Sequence, residues 1–249
     1  MAIDLKEAER IEIDHWARSE SERPGVFSVD NLLNKLTDAP VLLSRLAPFR
    51  DELASARRVL ELGAGQGWGS CLIQSRSASR AQHVCTDLSH HALQSAPMWE
   101  GIFRTRLGGS AACRSYELPF RDRSFDVVFA FQAAHHFRAH RRTLAEIHRV
   151  LTPGGLALYT HEPSCARWIH PLAVRRVRAS RPEVPEDVLV HEDILSMARR
   201  AGFDATWRDD CSLEKRRPLE FVYYMILGRV SPLRHVLPCT RDYVLRKTA

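Results

Sequence analysis

The sequence predicts an α/β protein built on a doubly wound, mostly parallel sheet of seven strands with a helical lid at its N-terminus. Three observations carry this. Strand-like and helix-like segments alternate regularly between residues 57 and 160. The run Phe125-Asp126-Val127-Val128-Phe129-Ala130-Phe131 is almost continuously apolar, as in a strand covered on both faces. The first strand runs directly into Gly63, Gly65 and Gly67, followed by a helix.

The elements follow in order. Residues 1–50 read as a helical cap, with Ile3, Ala8, Ile11 and Trp16 spaced for one helix face. Pro24-Gly25 breaks the chain, Ser28 or Asp30 caps a helix to Leu36, and a third short helix is expected over 38–46. Residues 51–249 read as the main domain. Strands are expected at 57–62, 81–86, 111–115, 125–131 and 156–160, and helices at 68–75, from 89 to about 97, and at 141–151. Pro153-Gly154-Gly155 reads as a turn. Residues 163–190, with four prolines and many arginines, read as an insertion on the substrate side. A helix over 191–201 then ends at Gly202, strands follow at 204–213 and 220–227, and the tail from 232 is irregular or short-stranded.

Composition narrows the function. At 249 residues the chain suits one large domain with a modest cap. Its 45% hydrophobic and 27% charged content excludes low-complexity disorder. No apolar run approaches the roughly 20 residues of a membrane span, and residues 1–12 lack the apolar core of a secretory signal, so a cytoplasmic protein is expected. The six cysteines show no CxxC pair and are expected to be free thiols. Of the net charge of +6, +5 lies in residues 163–249, where 16 Lys+Arg face 11 Asp+Glu. Only four of the 36 basic residues are lysines, and no nucleic-acid partner is expected from charge alone.

The sharpest signal is Val59-Leu60-Glu61-Leu62-Gly63-Ala64-Gly65-Gln66-Gly67. Alternate glycines let a ligand approach the backbone, and the helix start behind them favours a carboxylate or phosphate. A dinucleotide fingerprint requires glycine where this chain has Trp68. Glu61 can instead take a ligand ammonium. A ligand carrying both ammonium and carboxylate is an amino acid, which points to the methionine part of S-adenosylmethionine (SAM). Asp87, twenty residues after Gly67, ends the next strand, where a carboxylate accepts ribose hydroxyls.

Four segments together resemble the successive motifs of class I SAM-dependent methyltransferases. They are Glu61-Leu62-Gly63-Ala64-Gly65-Gln66-Gly67, Thr86-Asp87-Leu88-Ser89, Leu118-Pro119-Phe120-Arg121-Asp122-Arg123-Ser124-Phe125-Asp126 and Arg149-Val150-Leu151-Thr152-Pro153-Gly154-Gly155. The resemblance covers about residues 55–162 and is closest to the subgroup of quinone-biosynthesis C-methyltransferases and small-molecule O-methyltransferases. It implies a Rossmann-like methyltransferase fold with SAM as cofactor. Glu61, Gly63, Ala64, Gly65 and Gly67 would surround the methionine moiety, and Asp87 with Leu88 the ribose. Ser115 and Tyr116 would meet the adenine where many relatives carry an aspartate, and Gln132 would complete the set.

Phe131-Gln132-Ala133-Ala134-His135-His136-Phe137 follows the strong strand, at the edge where ligands bind. His136, or His135, is the candidate general base for an acceptor hydroxyl. His161-Glu162 is a second acid/base pair. His136 and His140 are spaced for one helix face, but no glutamate stands between them and no metal is expected. The loop lacks the Asn/Asp-Pro-Pro-aromatic pattern of enzymes that methylate base amines. The expected acceptor is therefore a small molecule, methylated on a hydroxyl oxygen, with Trp16, Phe27 and Asn31 lining the site. The alternatives are carbon methylation of a quinone-like precursor, an RNA-binding methyltransferase, and a non-catalytic SAM-fold module.

Overall fold

The computed structural model describes residues 4–24, 26, 28–76, 81–180 and 186–248, without the side chain of residue 180. The elements in chain order are α1 (Leu5–Arg18), α2 (Val29–Leu46), α3 (Arg50–Ser55), β1 (Arg58–Leu62), α4 (Trp68–Arg76), β2 (Gln82–Asp87), α5 (His90–Leu93), α6 (Ala96–Phe103), β3 (Gly109–Ala112), β4 (Phe125–Phe131), α7 (His140–Val150) and β5 (Leu151–Cys165). There follow α8 (His170–Ser180), β6 (Leu189–Val190), α9 (His191–Arg200), β7 (Phe203–Asp210), α10 (Pro218–Arg229), α11 (Ser231–Val236) and β8 (Cys239–Lys247).

The strands lie in the order β3-β2-β1-β4-β5-β8-β7, with the two-residue β6 beside β5. From β3 to β5 every pairing is parallel, and β8 runs antiparallel to both β5 and β7. The strand order reverses between β1 and β4, which opens a crevice at their carboxyl ends.

Both sheet faces are covered, which explains the unbroken apolar run of β4. Val128 and Ala130 pack toward Leu144, Ile147 and Val150 of α7 and Ile194, Leu195 and Ala198 of α9. Val127, Phe129 and Phe131 pack on the opposite side with Leu42 and Leu46 of α2, Trp68 and Cys71 of α4 and Trp99 of α6. The six cysteines are free.

Several expected elements are redrawn. Ser28 caps α2 by accepting from the Asn31 amide, but α2 runs on through Pro40, so the second and third helices are one. The helix expected to end near Pro97 is two, because α6 begins at Ala96 and takes Pro97 into its first turn, where proline is tolerated. The Pro153-Gly154-Gly155 turn is absorbed in β5 as a register shift against β4, with Gly154 at φ 74°.

The strand expected over 220–227 is instead α10. Pro218 occupies its first turn, Glu220 accepts from the Arg217 amide, and Tyr224 and Leu227 face inward. An apolar run of this length fits either state, and the helix-start signals at Pro218 and Glu220 decide it. The second antiparallel strand is β8, in the tail expected to be irregular or short-stranded. Its Arg241 and Asp242 are buried, and Arg241 donates to Asp209 at 2.9 Å. Charged residues in a buried strand hide it from an apolar pattern.

Candidate active site

The loop after β1 turns on three left-handed glycines, Gly63 (φ 64°), Gly65 (φ 53°) and Gly67 (φ 78°). A Cβ at Gly63 would stand 2.7 Å from the Cβ of Ala133. Gly63→Ala therefore combines left-handed strain with overpacking, and should cost roughly 2–4 kcal/mol in urea denaturation. A cost below about 1 kcal/mol would mean that the loop shifts freely.

Asp87 is buried at the end of β2 and fastens this loop. Its Oδ2 accepts from the Gly65 amide and its Oδ1 from the Ser89 amide, both at 2.8 Å. Burial pushes its pKa up to about 6 against the pull of those amides. It lines a cavity of about 490 Å³ together with Gly63, Leu88, Ser115, Tyr116, Gln132 and His136.

Glu61 does not line that cavity. It is buried beneath the loop, where its Oε2 accepts from the Ser70 amide at 2.8 Å, and burial raises its pKa to about 7. A Cβ at Gly69 would lie 2.6 Å from its Oε1, so a glycine inside α4 lets the carboxylate sit against the helix start. Ala64, Gly65 and Gly67 likewise shape the loop without lining the cavity.

α1 closes the cavity from above. A Cβ at Gly65 would meet the Trp16 ring at 3.1 Å. Glu9 accepts from the Tyr116 hydroxyl at 2.5 Å and from Arg114 Nε at 3.0 Å. Glu12 also faces the cavity, and burial with the nearby Asp87 charge raises its pKa to about 8. Asp38 is also on the wall, and the carboxylates there stand beside the basic side chains of Lys35, Arg114, Arg138 and Lys215, with Glu9 paired to Arg114 and Asp38 to Lys215. Sequence reasoning missed Glu9 and Glu12. Their i, i+3 spacing on α1 was the available signal.

Ser115 reaches the cavity, but its hydroxyl is shared with Thr143 at 2.9 Å. Tyr116 lies under the Arg142 guanidinium, 4.2 Å from its ring centre. Asn31 does not line the cavity and instead donates to Gln66 at 3.0 Å. Phe27 lies outside the described residues. The 163–190 insertion adds Glu186 to the wall, whereas Trp168 points outward at 66% exposure.

The two histidines separate. Glu162, fully buried at the end of β5, accepts from the amides of Ala133 and Ala134 at 2.9 Å and of His135 at 3.1 Å. It also bonds His135 Nδ1 at 2.8 Å. His135 is thereby held inside the turn, while His136 lines the cavity, its ring centre 4.2 Å from that of His135. The expected His161-Glu162 acid/base pair is not presented to the cavity, because His161 Nδ1 bonds Asp210 at 2.8 Å and Glu162 braces the turn. Among the described residues, His135, His136 and Glu186 bring potential ligand atoms within 4.8 Å of one another, a different set from the His136–His140 pair the sequence offered.

Residues 60–159 match the Methyltransferase domain family. The phthiotriol/phenolphthiotriol dimycocerosates methyltransferase 1 of Mycobacterium ulcerans is 36% identical over 141 residues, 54% of this chain and 50% of that protein. A fatty-acid O-methyltransferase of Mycolicibacterium smegmatis is 32% identical over 104 residues, 42% of this chain and 36% of that protein. The chain thus spans half or less of the length of these curated relatives. The geranyl diphosphate C-methyltransferase of Streptomyces coelicolor, solved with S-adenosyl-L-homocysteine, superimposes with a TM-score of 0.70 over 99% of this chain and 100% of that one, at 11% identity. Residues 60–159 are therefore similar to a methyltransferase domain, and the chain around them shares the Rossmann-like fold of that C-methyltransferase.

Proposed function

We propose that this protein is a SAM-dependent methyltransferase acting on a hydroxyl oxygen of a small, largely apolar acceptor. The observation that carries it is the single cavity in which the ribose-type carboxylate Asp87 and the imidazole of His136 both stand. When bound, SAM supplies an electrophilic methyl group on a sulfonium. Gly63 and its neighbouring amides would hold the methionine moiety, with Glu61 beneath them. Asp87 and Leu88 would hold the ribose, Ser115, Tyr116 and Gln132 the remainder.

His136 takes the acceptor's hydroxyl proton as the oxygen attacks. Glu162 acts on it indirectly, by fixing the turn over 133–135. α1 and α2 form the cap that excludes water, and much of the acceleration comes from holding donor and acceptor in line. An apolar acceptor agrees with the lipid and fatty-acid names of the relatives.

Calorimetric titration with SAM and S-adenosylhomocysteine, with NAD as control, tests the cofactor. Roughly micromolar binding is expected, with none for NAD. Turnover of fatty acids and hydroxylated lipids then tests the acceptor. His136→Ala should lower kcat by roughly 10²–10⁴-fold, with the cofactor's Kd little changed. A kcat within about threefold of wild type would favour the second reading, carbon methylation of a quinone-like precursor, where an electron-rich ring needs no base. The Streptomyces C-methyltransferase shares the fold, which keeps that reading open.

A further inference from the structure

A helix that is apolar on all sides is ordinarily buried. α10 is such a helix, with Glu220 and Arg229 its only charged residues, yet only Tyr224 and Leu227 are buried. Leu219 is 87% exposed, Val222 49% and Ile226 45%. At i, i+3 and i+7 they form one outward stripe, which exposed Val230 extends. Phe221 is exposed beside it.

This stripe lies at the ligand-binding edge of the sheet. α10 follows β7, which runs parallel to β5 and ends at the same edge as the cavity. In the connection between them, Lys215 lines the cavity and bonds Asn34 Oδ1 at 2.8 Å and Asp38 at 2.7 Å. α2, which those bonds reach, carries its own exposed stripe of Val29, Leu33 and Leu36 at i, i+4 and i+7. Arg176 of α8 acts electrostatically on Tyr223 of α10, and α8 exposes Leu172.

Charge identifies the occupant. Of the five Lys+Arg in residues 213–237, Lys215 pairs with Asp38 and Arg216 and Arg234 bond inward, which leaves Arg217 and Arg229 on the surface beside Glu214 and Glu220. Arg217 and Arg229, both exposed, bracket the α10 stripe. Arg175, Arg176 and Arg178 are exposed on α8. A second copy packed antiparallel on α10 would set Arg217 against its partner's equivalent of Arg229. An apolar stripe bracketed by arginines instead matches a bilayer with anionic headgroups, the apolar side chains entering the interface and the guanidinium groups meeting phosphates.

We propose that the outward face of α10, with the stripe of α2, docks on an anionic lipid bilayer and sets the cavity mouth beside it. The docking surface stands on its own geometry; only its purpose, admission of an apolar acceptor, rests on the methyl-transfer reading.

The test is co-sedimentation of the full chain with vesicles of phosphatidylcholine alone or containing roughly one-third phosphatidylglycerol. Strong binding is expected only with the anionic lipid and should weaken at high salt. The triple variant Leu219→Ser, Val222→Ser, Ile226→Ser should bind at least about tenfold more weakly, with unchanged circular dichroism and SAM titration. Equal binding of the triple variant, or no binding to anionic vesicles, overturns the proposal. So does a concentration-dependent dimer in analytical ultracentrifugation that the triple variant dissolves, since a second copy would then cover the stripe. Because vesicle binding is read without cofactor, failure of the SAM titration leaves this result standing by itself.

Discussion

Asp87→Ala should lose more than about tenfold in affinity for SAM, from an expected binding free energy of about −8 kcal/mol. The carboxylate has two jobs in one buried position. It accepts from the Gly65 and Ser89 amides and so fixes the glycine loop, which on the proposed reading would hold the methionine moiety. It also faces the cavity, where, on the proposed reading, its remaining lone pairs would accept from the ribose hydroxyls. A hydrogen bond to a charged group contributes roughly 1.5–3 kcal/mol, so losing one ribose contact already accounts for a tenfold change. Asp87→Asn is not silent, because its amide group sets a donor against one of two donating amides. Calorimetry on the two variants checks this, and wild-type affinity in Asp87→Ala would remove the carboxylate from the cofactor site.

The same group sets a pH dependence. Burial raises its pKa from the ordinary 3.8 to about 6. As pH falls through that value Asp87 takes up a proton and loses an acceptor, so SAM affinity should fall. Stability moves the other way. The folded form binds this proton more tightly than the unfolded chain, so below about pH 6 protonation of Asp87 favours folding. Titrations between about pH 8 and pH 5, paired with urea denaturation, should show the two trends diverging.

The second large effect is expected at Glu162. Glu162→Ala strips the acceptor from three buried amides and from His135 Nδ1 at once. Removing one partner from a buried charged network costs roughly 3–5 kcal/mol. Glu162→Gln keeps one oxygen but turns an amine toward donors, so it should recover only part of that loss. Urea denaturation measures the stability. Activity at a temperature where the variant is still folded measures the site, and kcat should fall because the turn that presents His136 has lost its brace. A loss of less than about 1 kcal/mol would show that the turn holds itself.

Much of this was legible from local pattern. The glycine loop, Asp87, the apolar β4 and the helix starts at Ser28 and Trp68 all stand near where the residues put them. These signals are local: a positive φ needs glycine, and a doubly covered strand needs continuous apolar residues. The errors fall where burial and local pattern disagree. β8 reads only as an irregular or short-stranded tail because Arg241 and Asp242 are buried and paired inside it, and α10 reads as a strand because its outward face is as apolar as its inward face.

The sequence by itself determined the alternation of strands and helices, the glycine loop after β1 and the sheet edge proposed to carry the chemistry, because each follows from short-range spacing and chain direction. The tertiary structure decided the roles within the site. Only folding brings Glu162 under the turn after β4, so that His135 becomes a brace and His136 faces the cavity. Only folding lays Glu9, Glu12 and Trp16 of α1 over the cavity beside the glycine loop and withdraws Glu61 beneath that loop. These contacts join residues far apart in the chain, and no local periodicity records which distant carboxylate will satisfy a buried amide.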